Sequence, residues 1–377
     1  MLLGIHLTLL IGPTVPMPAS AELIDAIKSI KVTNTDESRD GFEITFAVGR
    51  SGPQDLLDYP ILNNIALKPN CRLIIQVFFG LTPHVLIDGI IKLQQLNPSI
   101  EPGKSTLTIT GEDISVVMDK EEKSVPHPNM PDNITITKII SEYVTYGMVP
   151  KVQPPLLAEV TTEIDRIPTQ RSTDLKYLQT LARTHNCVFY IEPTDVPTVT
   201  TAYWGPLNII GIPQKALSFN IGGETNVITL NSQNNSLSPT MVKGYVTDRI
   251  TGQKFPILSL PPTRPPLATQ PAWLVNQPNV NVKQFTGDGG VSALQAQSQA
   301  QAEADGTIDV ITVTGELDAM KYGNILRARK LVGLRGVGIS YGGLYYVKNV
   351  THNIKRGEYK QSFTLTREGL VSTVPLV

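Results

Sequence analysis

The closing segment, residues 307–369, constrains the fold more than any other part of the chain. Apolar and polar residues alternate through it with the period of two that marks strands with one covered face. Several glycines stand at turn positions, and no catalytic constellation accompanies them. A chain built this way presents sheet surface to neighbours and does not look like one that turns over a substrate.

The strand pattern recurs at the other end. Ile30 to Thr35 and Phe42 to Val48 flank the polar connection Asp36 to Gly41, a hairpin signal. Phe42, Ile44, Phe46 and Val48 share one face, with Glu43 and Thr45 opposite. Residues 72–79 place Leu73, Ile75, Val77 and Phe79 together, and Val85 to Leu93 and Thr106 to Thr110 continue the series. So many short strands in the first 112 residues predict a compact antiparallel barrel or sandwich. Leu2 to Ile11 reads as its first strand, stopped by Gly12-Pro13, since no Lys or Arg precedes the apolar run as a signal peptide requires.

Between the two ends the period changes. Residues 22–28 predict a short helical turn, Asp113 to Lys120 a short helix, and Asn133 to Gly147 a longer one with Asn133 as cap. Ser172 or Thr173 caps a third helix, with Asp174 in its first turn and Leu175, Leu178, Leu181, Ala182 and His185 on one stripe. Strand Val188 to Ile191 follows. Strands resume at Ala216 to Ile221 and Val227 to Leu230, and a hairpin at Met241 to Thr247 and Lys254 to Leu258 turns about Thr251-Gly252. Residues 260–290 read as an extended arm, and Ala293 to Ala304 as a helix of small residues. The expected fold class is α+β and β-rich. The expected domains are 1–112, a first barrel-like unit; 113–215, α+β; 216–240 with 306–370, a discontinuous second barrel-like unit; and 241–305, an inserted hairpin, arm and helix.

Composition narrows function. Of 377 residues, 17% are charged and 41% hydrophobic, and the formal net charge is −1, which argues against electrostatic capture of nucleic acid or an anionic membrane. Low charge suits surface that meets other protein. Gly338-Ile-Ser-Tyr-Gly342 matches the nucleophile elbow of serine hydrolases, but the elbow needs a helix after the turn, and here Leu344 to Val347 is a strand. A hairpin connection is the expectation. The five histidines are isolated, and Cys71 and Cys187 lack ligand spacing. The carboxylates from Glu112 to Glu122 form a solvated face, and no glycine pair precedes Gly-Lys-Ser/Thr. No catalytic, cofactor or metal residue is predicted, and no cofactor.

Three segments together resemble the late control gene D family, the baseplate hub proteins of contractile phage tails and contractile injection systems. They are Ile11 to Ser20 with Asp40 to Phe46 and Gly49 to Pro53; Ser172 to Arg183 with Val188 to Ile191; and Gly343 to His352 with Tyr359 and Ser362 to Gly369. The resemblance implies a homotrimer whose two similar barrels per subunit make a pseudo-sixfold ring. Such a ring adapts a sixfold inner tube protein to a threefold spike. Its implied partners are the tube, a separate spike protein and other baseplate proteins, with neither nucleic acid nor membrane insertion expected. Assembly would take place in the cytoplasm, within a tail-like particle. Glu43, Thr45, Tyr346 and Lys348 are the expected interface residues. The competing expectation is a secreted β-rich surface- or carbohydrate-binding protein.

Overall fold

The computed structural model describes residues 5–13, 15–49, 59–101, 103–155, 167–248, 252–262, 264–275, 280–286 and 292–374. Its first region holds strands β1 (Ile5–Gly12), β2 (Met17–Pro18), β3 (Ile27–Thr35), β4 (Gly41–Ala47), β5 (Arg72–Phe79), β6 (Thr82–Asn97) and β7 (Thr106–Asp113), with helix α1 (Ala21–Asp25) before β3. The N-terminal apolar run is therefore a strand, antiparallel to β5. Along β4 the alternation holds: Phe42, Ile44 and Phe46 are buried, Glu43 is exposed and Thr45 half-buried. Each such core side chain contributes about 1.5–3 kcal/mol by leaving water. In β5 the one-sided reading falls short, because Ile74 and Gln76 are buried along with Leu73, Ile75 and Val77.

The middle region comprises β8 (Glu122–Pro126), α2 (Asp132–Ser141), β9 (Met148–Val152), β10 (Thr169–Thr173), α3 (Asp174–Thr184), β11 (Val188–Pro193) and β12 (Thr200–Gly205). Residues 114–119 form a 3-10 turn where a short helix was expected. Helix α2 starts at Asp132 behind Pro131, not behind Asn133, because proline fixes φ and cannot be carried into the preceding turn. In α3 the Thr173 hydroxyl accepts from the Lys176 N–H, and Leu175, Leu178 and Ala182 are buried. They pack on Trp204, Ile136 and Ile140 in a core separate from that of the main sheet.

Next come β13 (Gln214–Ser218), β14 (Val227–Asn234), β15 (Thr240–Thr247), β16 (Lys254–Leu258), β17 (Ala268–Pro271), α4 (Ala272–Val275), β18 (Asn281–Gln284) and α5 (Ala293–Asp305). The turn residue Thr251 lies outside the described residues. Residues 260–290 do not form a free arm among the described residues. β17 pairs with the C-terminal strand and β18 runs parallel to β15, pairings made by distant chain that no local pattern announces. The last region holds β19 (Ile311–Asp318), α6 (Ala319–Tyr322), β20 (Leu331–Arg335), α7 (Gly338–Tyr341), β21 (Gly343–Lys355), β22 (Glu358–Arg367) and β23 (Gly369–Ser372). Ser340 sits on the single helical turn joining the antiparallel strands β20 and β21, and it is exposed.

One sheet runs through both ends of the chain in the order β14-β19-β22-β21-β3-β4-β7-β6-β5-β1-β2, with β20 and β13 branching from β21. Its centre is the β21–β3 pairing, where Val32 faces His352, Thr33 faces Thr351, and Asn34 faces Val350. That register is a local twofold about Thr33 and Thr351. Outward from it the two sides repeat. Val32, Phe42, Gly111 and Ile91 form a row across β3, β4, β7 and β6. Val350, Phe363, Gly315 and Leu230 form the matching row across β21, β22, β19 and β14. Each glycine makes room for the phenylalanine opposite: a Cβ at Gly111 would lie 2.4 Å from the Phe42 ring, and one at Gly315 would lie 2.6 Å from the Phe363 ring. The chain orders differ, since the β14–β19 pair precedes the β21–β22 hairpin whereas β6–β7 follows β3–β4.

Candidate interface

The open face of this eight-strand run is polar and almost without net charge. Thr33 and Thr351 hydroxyls lie 3.3 Å apart at the centre, Thr45 and Thr108 3.5 Å apart on one side, and Asn353 donates to Ser362 at 3.4 Å on the other. Charges of both signs stand next to one another on it: Lys31 lies opposite Glu43 in the strand register, and Lys360 forms an ion pair with Glu316 at 3.5 Å. The two ends of the run are free. Among the described residues β14 pairs only with β19, and β6 from Leu93 to Asn97 pairs only with β7. Leu93 and Ile228 are exposed apolar residues on these two edges. Free N–H and C=O groups on an edge strand are a template for another chain.

The four expected interface residues do not form one surface. Glu43 and Thr45 lie on the open face. Tyr346 is 2% exposed and is a correction: the alternation puts it on the outer side of β21, but Leu207, Ile209 and Leu267 from distant segments cover that end. Lys348 stands at the irregularity in β21 pairing between Val347 and Asn349 and binds Glu37 at 2.7 Å.

Sequence reasoning missed the charged lock behind the central seam. Asp40, in the β3–β4 turn, accepts from Arg329 at 2.5 and 3.1 Å, from the Thr35 N–H at 3.0 Å and from Asn34 at 2.8 Å. Arg329 also donates to the Thr35 carbonyl and lies 4.2 Å over the Tyr190 ring, so both ends and the middle region meet on one guanidinium. Burial opposes the Arg329 charge, yet Asp40 outweighs it and raises the Arg329 pKa. Asp113 accepts from the Asp40 N–H at 2.8 Å, and burial followed by the Asp40 charge pushes its carboxyl up to about 6. His352 is enclosed by the Tyr359 hydroxyl at 2.7 Å and Asn34 at 3.1 Å, and burial holds its pKa down to about 3. Its ring nitrogens are engaged, so it is no partner for Ser340. A signal for the repeat was present: Thr108-Ile-Thr-Gly-Glu112 and Thr312-Val-Thr-Gly-Glu316 occupy equivalent strands.

No family model and no curated protein matches the sequence. Solved structures do match in shape. The tail protein from Neisseria meningitidis MC58 superposes with a TM-score of 0.64 at 13% identity, covering 98% of each chain. The fold is shared with phage tail proteins. The 43 kDa tail protein of prophage MuSo2 from Shewanella oneidensis gives 0.65 at 11% identity, over 97% of this chain and 99% of that one. The Escherichia coli c3393 protein, a component of the type VI secretion system with structural similarity to the T4 tail proteins gp27 and gp5, gives 0.53 at 10% identity over 93% and 77%. These likenesses establish the tail-protein fold; none of the described helices is long and apolar enough to cross a membrane.

Proposed function

We propose that the chain is a structural hub of a phage tail-like or contractile injection particle, acting as a trimer that joins a sixfold inner tube to a threefold spike. One observation carries this reading: the repeated four-strand row related by the twofold at Thr33 and Thr351, with a free edge at each end. Three copies of an eight-strand run, joined β6 to β14, divide evenly into six near-equivalent four-strand units. A ring of that kind offers six similar contacts from three chains, which is what a change of symmetry requires. The balanced Thr, Ser and Asn face would then line one wall of the ring, where a polar surface of little net charge neither traps nor repels what passes. Glu43 and Thr45 belong to that wall, and Lys348 lies toward the middle region. Domains 1–112 and 216–240 with 306–370 supply the two units, while 113–215 and 241–305 lie outside them. Tube, spike and other baseplate proteins are the proposed partners, in keeping with relatives of this fold such as the Francisella VgrG in its complex with PdpA.

Sedimentation of the purified chain tests the reading, alone and with the tube protein of the same particle. Wild type should sediment as a trimer, and Leu93→Lys with Ile228→Lys should give a folded monomer with an unchanged far-ultraviolet spectrum. A wild-type monomer that stays monomeric with its tube protein, or a trimer indifferent to both lysines, overturns it.

A further inference from the structure

The inserted segment folds into a small sheet whose two faces differ. Strand β15 lies at its centre, antiparallel to β16 and parallel to β18. On one face Val242, Ile257 and Phe285 pack onto Ala296, Ala300 and Ala304 of α5. The other side of α5 grips the middle region: Ser298 donates to the Thr184 carbonyl at 3.2 Å, and Asn186 donates to Asp305 at 2.9 Å. The layers run from α3 through α5 to the sheet, so the second face of the sheet is the outermost surface.

Alternation along β15 puts Lys243 and Tyr245 on that outer face, opposite in direction to Val242. The registers add Leu258 beside Lys243, Val282 beside Met241, and Lys254 beside Thr247. Tyr245 is 71% exposed, Val282 55% and Leu258 50%, so all three strands present a large apolar side chain to solvent on one side. Single exposed apolar residues are ordinary, whereas a group on adjacent strands marks a contact surface. An aromatic side chain within such a group is what interface cores favour. The charge on the face has one sign. No Asp or Glu occurs in β15, β16 or β18. Lys283, on the α5 side, pairs with Glu303, but neither Lys243 nor Lys254 has a carboxylate partner among the described residues.

That charge selects the occupant. A second copy would set lysines against lysines, which like-charge repulsion opposes. Nucleic-acid binding rests on many phosphate contacts, and the apolar side chains between these two lysines would gain nothing from it. We propose that this face docks an acidic, amphipathic segment of another polypeptide of the particle. Its apolar side chains rest on Tyr245, Leu258 and Val282, and its carboxylates meet Lys243 and Lys254. The inference rests on the hub reading only in that the chain is part of a particle.

Photo-crosslinking in the purified particle tests it, with benzoylphenylalanine in place of Tyr245 and, in a second preparation, in place of Leu258. Both should cross-link to one stretch of a different polypeptide that combines Asp or Glu with apolar residues. Lys243→Glu with Lys254→Glu should lower the yield by about tenfold or more, and Lys243→Arg with Lys254→Arg should preserve it. If the glutamate variant does not enter the particle, Lys243→Gln with Lys254→Gln decides, with a loss of a few-fold expected. Cross-links to a second copy, to nucleic acid or lipid, or to a stretch without acidic residues overturn the proposal. So does an absence of cross-links, or a yield indifferent to the lysine charges. Each of those results leaves the hub reading standing, whereas a particle that lacks the chain overturns that reading and this proposal with it.

Discussion

Two equivalent threonines have opposite surroundings. Thr45 of β4 and Thr366 of β22 occupy the same place in the two repeats, each opposite a threonine of the next strand, Thr108 and Thr312. Thr45 is half-buried on the open face and lies within hydrogen-bonding distance of Thr108, whereas Thr366 is buried with no partner. The difference comes from what is inserted. Strands β6 and β7 are joined by residues 98–105, while β14 and β19 are separated by residues 235–310, which fold back over the outer side of β21 and β22. A long insertion costs a sheet little closure entropy, since each doubling of loop length adds only about 0.6 kcal/mol. One half of the repeat therefore keeps a bare face and the other has its face covered.

The largest test breaks the seam between the halves. Arg329→Met should destabilise the protein by about 3–5 kcal/mol in urea unfolding, because Asp40 is left buried and unpaired. Adding Asp40→Asn should recover much of that loss. A cost below about 1 kcal/mol would show that the halves do not depend on this lock.

Next, the repeat itself can be weighed. An added Cβ at Gly111 would lie 2.2 Å from the Ile90 carbonyl oxygen, and one at Gly315 would lie 2.5 Å from that of Thr229. Gly111→Ala and Gly315→Ala should each cost about 1–3 kcal/mol in the same assay. Similar values sharpen the equivalence, and a neutral result at either site breaks it.

Acid separates Asn34 from its counterpart His352. The folded pKa of His352, about 3, lies below its ordinary 6.5, so the fold favours the neutral ring. Its contribution is complete above pH 6.5 and is lost as pH falls toward 3, at up to about 1.4 kcal/mol per pH unit. Asp36 and Asp113 act oppositely: their raised values stabilise below about 3.8, and that contribution fades as pH rises through about 6. Both acids remain in His352→Asn, so the difference between wild type and variant isolates the histidine. Stability curves that stay parallel from pH 7 to pH 4 would mean the ring titrates normally.

The smallest effect sits on the twofold. A double-mutant cycle of Thr33→Val and Thr351→Val should give a coupling of about 0.2–1 kcal/mol in urea unfolding. A coupling of zero would make the central pair a neighbourhood without an interaction.

Strands, their core faces and the third helix were legible in the sequence. Alternation and capping are local, and Phe42, Ile44, Phe46, Thr173 and Leu178 carry them within a few residues. The repeat was legible too, in the two Thr-x-Thr-Gly-Glu segments, although strand spacing alone did not bring it forward. For the expected interface residues alternation reads only the local side: it puts Glu43 and Thr45 away from the core of β4, and it misses that Tyr346 is buried.

Periodicity determines which side chains share a side of a strand. Whether that side meets water or other chain is decided by segments far away in sequence, as Leu207, Ile209 and Leu267 decide it for Tyr346. The same holds for the ion pair of Arg329 with Asp40, which joins residues from opposite ends of the chain. No local pattern signals such a pair, because each charge alone reads as solvated until the fold removes the water from both.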